Sequence, residues 1–152
     1  MKKKLVAAGL SAALGACFAL DAVAQVKPET LVKQRQSAMT LQGKYFGPLA
    51  GMAAGRVPYD AAVVTRNAGY LEVLTKMPWD GFNASTSGEK SAALPEIYKD
   101  TAKFTAASDR LQSATAQLAS TAKGGNEAAV KTAIGDVGKA CGGCHESFRQ
   151  KQ

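Results

Sequence analysis

The stretch VKTAIGDVGKACGGCHESF, Val130 to Phe148, carries the reading of the whole chain. Val130, Ile134, Val137, Cys141, Cys144 and Phe148 recur in steps of three and four. That spacing places them along one face of an α-helix. Asn126 stands just before the stretch, behind the break Lys123-Gly124-Gly125, and is a candidate N-cap.

Three further segments upstream show the same period. The first opens at Pro28-Glu29, with Pro at an early helical position, and ends between Gly51 and Gly55. Leu31, Arg35, Ala38, Met39, Gln42, Phe46 and Leu49 run along its inner stripe. The second follows Pro58-Tyr59-Asp60, carries Val64, Ala68, Leu71, Val73 and Leu74, and stops before Pro78. A loop with Gly81, Ser85, Ser87 and Gly88 leads to the third, which starts at Pro95-Glu96. There Ile97, Phe104, Leu111 and Leu118 recur every seven residues, with Ala102 and Thr115 on the same side. Four amphipathic helices with short connections predict an all-α fold, an antiparallel four-helix bundle. No internal repeat or second domain is visible, so residues 25–152 form one domain.

Residues 1–24 read differently. Lys2, Lys3 and Lys4 precede an uncharged apolar stretch, Leu5 to Leu20, and then Ala22-Val23-Ala24. This is the layout of a secretory signal peptide cleaved after Ala24. The stretch is too short for a comfortable membrane span. Leu14-Gly15-Ala16-Cys17 also resembles a lipoprotein box, with Cys17 as the lipidated residue, but the Ala-x-Ala site is better placed. Either route exports the chain. The full chain has 19 Lys and Arg against 12 Asp and Glu, a formal charge of +7. These charges are scattered, with no basic run outside the leader and no aromatic-interleaved basic strip, so nucleic acid is not the expected partner.

Cys141-Gly142-Gly143-Cys144-His145 holds the only histidine of the chain. On a helix, positions 141, 144 and 145 share a face. The spacing Cys-x-x-Cys-His is that of covalent attachment of c-type haem. Two thiols one turn apart would add to the two vinyl groups, and the adjoining imidazole would reach the iron as axial ligand. Gly142 and Gly143 would leave room at the porphyrin edge, each costing about 1 kcal/mol of helix propensity against Ala. A disulfide gives no role to His145. A structural zinc site needs four ligands, and after removal of the leader only two Cys and one His remain. A thioredoxin-like redox motif belongs in a βαβ setting, not a C-terminal helix. One haem c per chain, held through Cys141 and Cys144, is therefore expected.

The second axial position is left open by spacing. No second His exists, so only Met39, Met52 and Met77 are available as sulfur ligands beyond the leader. A sulfur opposite the imidazole makes an electron carrier, and an apolar distal face leaves an iron open to small gases.

Further runs carry a resemblance. These are Arg35-Gln36-Ser37-Ala38-Met39, Pro58-Tyr59-Asp60-Ala61-Ala62, Pro78-Trp79-x-x-Phe82, Pro95-Glu96-Ile97-Tyr98 and Cys144-His145-Glu146-Ser147-Phe148-Arg149. With the haem motif on the last of four helices, the chain resembles the class II cytochromes c, specifically cytochrome c prime, over nearly all of residues 25–152. The resemblance implies a periplasmic haem protein, not an enzyme, usually a homodimer, with a high-spin five-coordinate iron that binds nitric oxide or carbon monoxide. Single-electron transfer with a redox partner protein is a further implied capacity. By the same resemblance Met39 lies over the distal face, and Arg35 and Gln36 lie close to the haem, where a guanidinium can pair with a propionate. Arg149 falls beside the proximal imidazole. The competing member type is a low-spin electron carrier with Met39 and His145 both on iron. Read without the resemblance, Met39 is bundle core, Arg35 a solvated charge, and Trp79 and Phe82 core aromatics. The loop Gly81 to Leu94 departs most from the family, with Glu89 as its only candidate contact. Tyr45 and Val63 are candidates for a dimer seam.

Overall fold

The structure, a computed structural model, describes residues 26–151. The expected signal peptide, its expected cleavage site after Ala24 and the alternative lipidation site at Cys17 lie outside the described residues. Helix α1 spans Pro28–Ala53, with Pro28 and Glu29 in its first turn. Val32, Arg35, Ala38, Gln42, Leu49 and Met52 are buried along it. Gly55 ends the run at φ 69°, a left-handed conformation that a side chain resists. Helix α2 spans Ala61–Leu74. The Asp60 carboxylate caps it, accepting from the backbone N–H groups of Ala62 at 2.9 Å and Val63 at 3.0 Å. Val64, Asn67, Ala68 and Leu71 face inward, whereas Val73 is 54% exposed. Val73 is therefore not on the inner stripe. Two residues past Leu71 is more than half a helical turn, which carries the side chain to the outside.

The third predicted helix is two. Helix α3 is a single turn, Glu96–Lys99, and helix α4 spans Thr101–Lys123. The chain leaves helical geometry at Asp100, φ −118° and ψ 68°, and the Asp100 carboxylate accepts from the Lys103 N–H at 3.0 Å. A short acidic side chain that can cap its own downstream N–H groups favours a helix start over a helix interior. Ile97 and Phe104 still pack together across the break, but Ala102 is exposed rather than on that face. Helix α5, Glu127–Phe148, begins as expected at Asn126, whose Oδ1 accepts from the Ala129 N–H at 2.9 Å.

The long helices form a four-helix bundle in which α1 packs on α2, α2 on α4 and α4 on α5, and α5 closes back on α1. Leu49, Val64, Leu71, Leu118, Val130, Ile134 and Val137 fill the main core and are all but excluded from solvent. Each such side chain contributes about 1.5–3 kcal/mol by burial. A second, smaller cluster joins Ile97, Phe104 and Phe148, with Trp79, Phe82 and Cys144 against it. The Phe104 ring meets Phe148 edge-on at 5.3 Å between centroids.

The connection from α2 to α3 folds through two 3-10 turns, Trp79–Gly81 and Ala84–Thr86. Its last residues pair with the C-terminus: the Leu94 N–H donates to the Phe148 carbonyl at 2.9 Å, and the Gln150 N–H to the Ala92 carbonyl at 2.8 Å. Among the described residues no helix is long and apolar enough to cross a membrane.

Candidate haem site

A cavity of about 720 Å³ opens between α1, α4, α5 and the α2–α3 connection. That lies within the usual range for a site enclosing a cofactor-sized ligand. All seven residues singled out from the sequence, Arg35, Gln36, Met39, Cys141, Cys144, His145 and Arg149, line it. The wall also includes residues the sequence did not mark as site residues: Leu71 and Thr75 from the end of α2, Leu111 and Thr115 from α4, Val137 from α5 and Ser91 to Ala93 from the loop. Glu89 does not line it, so the loop contributes Ser91, Ala92 and Ala93 instead. Those three approach because the pairing of Ala92 and Leu94 with the C-terminus draws this segment toward α5. Trp79 and Phe82, read as core aromatics, belong both to the second cluster and to the cavity wall.

Helix α5 supplies the attachment chemistry. Cys141 and Cys144 are free thiols, half-buried, one turn apart. Burial raises both thiols above their ordinary range, and Cys141 adds to the effect on Cys144. They are therefore held as neutral thiols. His145 sits at the cavity rim, its ring held below the usual imidazole value by partial burial and by the Arg149 guanidinium. Both effects favour the neutral imidazole, the form with a free nitrogen lone pair for a metal. Gly142 and Gly143 lie on the exposed side and are not part of the wall, so the space they leave is outside the cavity.

Helix α1 supplies the opposite chemistry. Arg35 is 3% exposed, which rules out a solvated surface charge. Its Nη1 donates to the Gly81 carbonyl at 2.6 Å, Thr86 Oγ1 at 3.1 Å and the Tyr98 hydroxyl at 3.3 Å, and Nη2 donates to Ser91 Oγ at 3.1 Å. The guanidinium also lies 4.2 Å from the centre of the Phe82 ring. Gly81 permits this packing, since a Cβ there would meet the Leu31 carbonyl at 3.1 Å and the Arg35 Cβ at 3.2 Å. All these partners are neutral, and among the described residues no carboxylate pairs with Arg35. A buried cation without an anion is costly. One placed in the wall of a cavity suits a ligand that brings its own carboxylate. Met39, half-buried, lies one turn further along α1, and Gln36 is exposed at the rim. An apolar chamber, two thiols, one neutral imidazole and one unpaired buried cation fit a haem on every count. Among the described residues no three His, Cys, Asp or Glu side chains converge to hold a bare metal ion.

The family model described as Cytochrome C' matches residues 30–149. The chain belongs to the cytochrome c' family. Cytochrome c' of Rubrivivax gelatinosus is 39% identical over 126 residues, covering 82% of this chain and 98% of the relative. The solved structure of a cytochrome c' from Rubrivivax gelatinosus superposes with a TM-score of 0.78 at 38% identity, covering 82% of this chain and 98% of that one. A nitric oxide complex of a mutant cytochrome c prime from Alcaligenes xylosoxidans superposes with a TM-score of 0.78 at 38% identity, covering 84% of this chain and 99% of that one. As a member of the cytochrome c' family the chain is a haem c protein with a four-helix bundle fold.

Proposed function

We propose that this protein binds nitric oxide or carbon monoxide at a five-coordinate, high-spin haem iron in the periplasm, with single-electron transfer as a second capacity. It turns over no substrate in this reading. Cys141 and Cys144 hold the haem through two thioethers, and His145 supplies the one protein ligand to iron. The bound group supplies a metal that takes diatomic ligands and changes oxidation state by one electron. The remaining work falls to the chain. Arg35 anchors a propionate. Met39 would crowd the space in which a diatomic ligand binds, so that an entering ligand would displace a packed side chain. Gln36 and Arg149 border the cavity, and partial burial, with Arg149 adding to it, favours the neutral form of His145.

The observation that carries this reading is the joint lining of one cavity by Met39 and by the only imidazole of the chain. The nitric oxide complex of the Alcaligenes relative supports the ligand class. Export by a leader of residues 1–24 and assembly as a homodimer belong to the same proposal. The Tyr45 and Tyr70 rings meet at 4.8 Å between centroids, tilted by 54°, on α1 and α2, which also carry exposed Leu41 and Val73, a surface of the right character for a second copy.

The test is the visible spectrum of the haem-loaded protein, with carbon monoxide binding before and after Met39→Ala. The expected wild-type spectrum is high-spin, and Met39→Ala speeds carbon monoxide association by opening a cavity of one large side chain. A low-spin spectrum with a sulfur-to-iron charge-transfer band that vanishes in Met39→Ala makes Met39 a ligand and the protein a dedicated electron carrier.

A further inference from the structure

Gln42 is a buried polar side chain that neither haem attachment nor distal cover uses. It is 7% exposed, stands three residues beyond Met39 on α1, and lines the same cavity. Its Nε2 donates to the Leu74 carbonyl at 3.0 Å. Leu74 is the last residue of α2, where carbonyls lack helical partners. Because a carbonyl accepts there, the nitrogen of the carboxamide faces Leu74, which fixes which way round the group sits. A carboxamide has two N–H groups and an accepting oxygen. One N–H goes to Leu74. Among the described residues the other N–H and Oε1 meet no protein partner, while the surrounding wall is apolar at Phe46, Leu71 and Leu111. Two other buried polar groups of the wall are satisfied within the protein. Thr75 and Thr115 share a hydrogen bond at 2.9 Å and bond to their own helix carbonyls. With one N–H used, the carboxamide keeps unused hydrogen-bonding capacity in the wall of the chamber.

We propose that Gln42 donates a hydrogen bond to the diatomic ligand held in this cavity, so that ligands are selected by polarity at Gln42 and by size at Met39. The proposal rests on the gas-binding reading above. In a chamber of low dielectric such a bond is stronger than in water. Its loss speeds ligand dissociation by about two- to tenfold.

The experiment uses the haem-loaded full chain, reduced, with carbon monoxide as probe. Gln42→Met keeps length and flexibility and removes the donor. The C–O stretching band is expected to move to higher frequency in Gln42→Met, with dissociation about two- to tenfold faster. A second measurement needs no variant: the wild-type band is expected to shift when H₂O is exchanged for D₂O, because the carboxamide hydrogens exchange. If carbon monoxide binds but the band moves in neither measurement, Gln42 only braces α1 against α2 and the proposal is overturned, whatever happens to the melting temperature. If the wild-type protein binds no carbon monoxide at all, the gas-binding reading falls and this proposal falls with it.

Discussion

The two core clusters of this bundle solve opposite problems. The main cluster, built on Leu49, Val64, Leu118, Val130 and Ile134, is sealed by aliphatic side chains from all four long helices. The cluster of Ile97, Phe104 and Phe148 forms one side of an open chamber. Around that chamber directional contacts add to the packing of Leu71, Leu111 and Val137. Arg35 ties α1 to the α2–α3 connection, Gln42 ties α1 to the end of α2, and Thr75 ties α2 to Thr115 of α4. Close packing removes space, whereas hydrogen bonds of fixed length can hold surfaces at a distance. The sealed region buries the larger set of aliphatic side chains, and the polar ties link the elements that border the cavity.

Substitutions separate the two roles. The largest expected effect is on cofactor retention. Cys144→Ala or Cys141→Ala removes one thioether, and haem staining after a denaturing gel should fall sharply or vanish. Wild-type haem that extracts into acid–acetone would contradict covalent attachment altogether. Next in size is Leu118→Ala in the sealed core, expected to lower unfolding free energy by about 2–5 kcal/mol while haem remains bound to the folded protein. Chemical denaturation of the holoprotein followed by far-ultraviolet dichroism and by haem absorbance measures both. A haem absorbance change that runs ahead of the loss of helix would show that the chamber opens before the sealed core does.

A smaller effect is expected for Arg35→Leu. It removes charge-assisted hydrogen bonds to Gly81, Thr86, Tyr98 and Ser91, each of a kind worth about 1.5–3 kcal/mol, but it also removes an uncompensated buried cation. The net destabilisation should therefore be below that of Leu118→Ala and should be larger in the holoprotein than in apoprotein, where no propionate answers the charge. Hydrogen exchange should localise the change to residues 81–98. The smallest effect belongs to Asp100→Ala, which loses one N-cap and should cost about 1 kcal/mol without altering the haem spectrum.

Much of this molecule was legible in sequence because it depends on local geometry. The three- and four-residue spacing in Val130–Phe148 specifies a helix and brings Cys141, Cys144 and His145 to one face without reference to any other element. Asp60 and Asn126 announce their helices by the same local logic. Their caps bond to N–H groups two or three residues away. Local logic also produced the errors. A seven-residue repeat runs through Asp100, where the cap outweighs it, and Val73, carried by the same apolar segment as Leu71, is turned outward by helical phase.

Tertiary structure decided the rest, since it concerns what meets across large separations. Arg35 reads equally well as a surface charge until Gly81, Thr86, Ser91 and Tyr98 close over it. Ser91 to Ala93 reach the cavity only because Ala92 and Leu94 pair with the C-terminal residues, a contact spanning more than fifty positions. Gln42 is an ordinary helix residue until its amide finds the end of α2 and its side chain joins the chamber wall. By itself the sequence determined four helices, a haem-binding helix face and the ligand that helix offers, because a helix repeats every 3.6 residues wherever it lies. The chamber, its buried cation and its buried carboxamide exist only where four helices meet, because burial and hydrogen bonding are properties of neighbours in space.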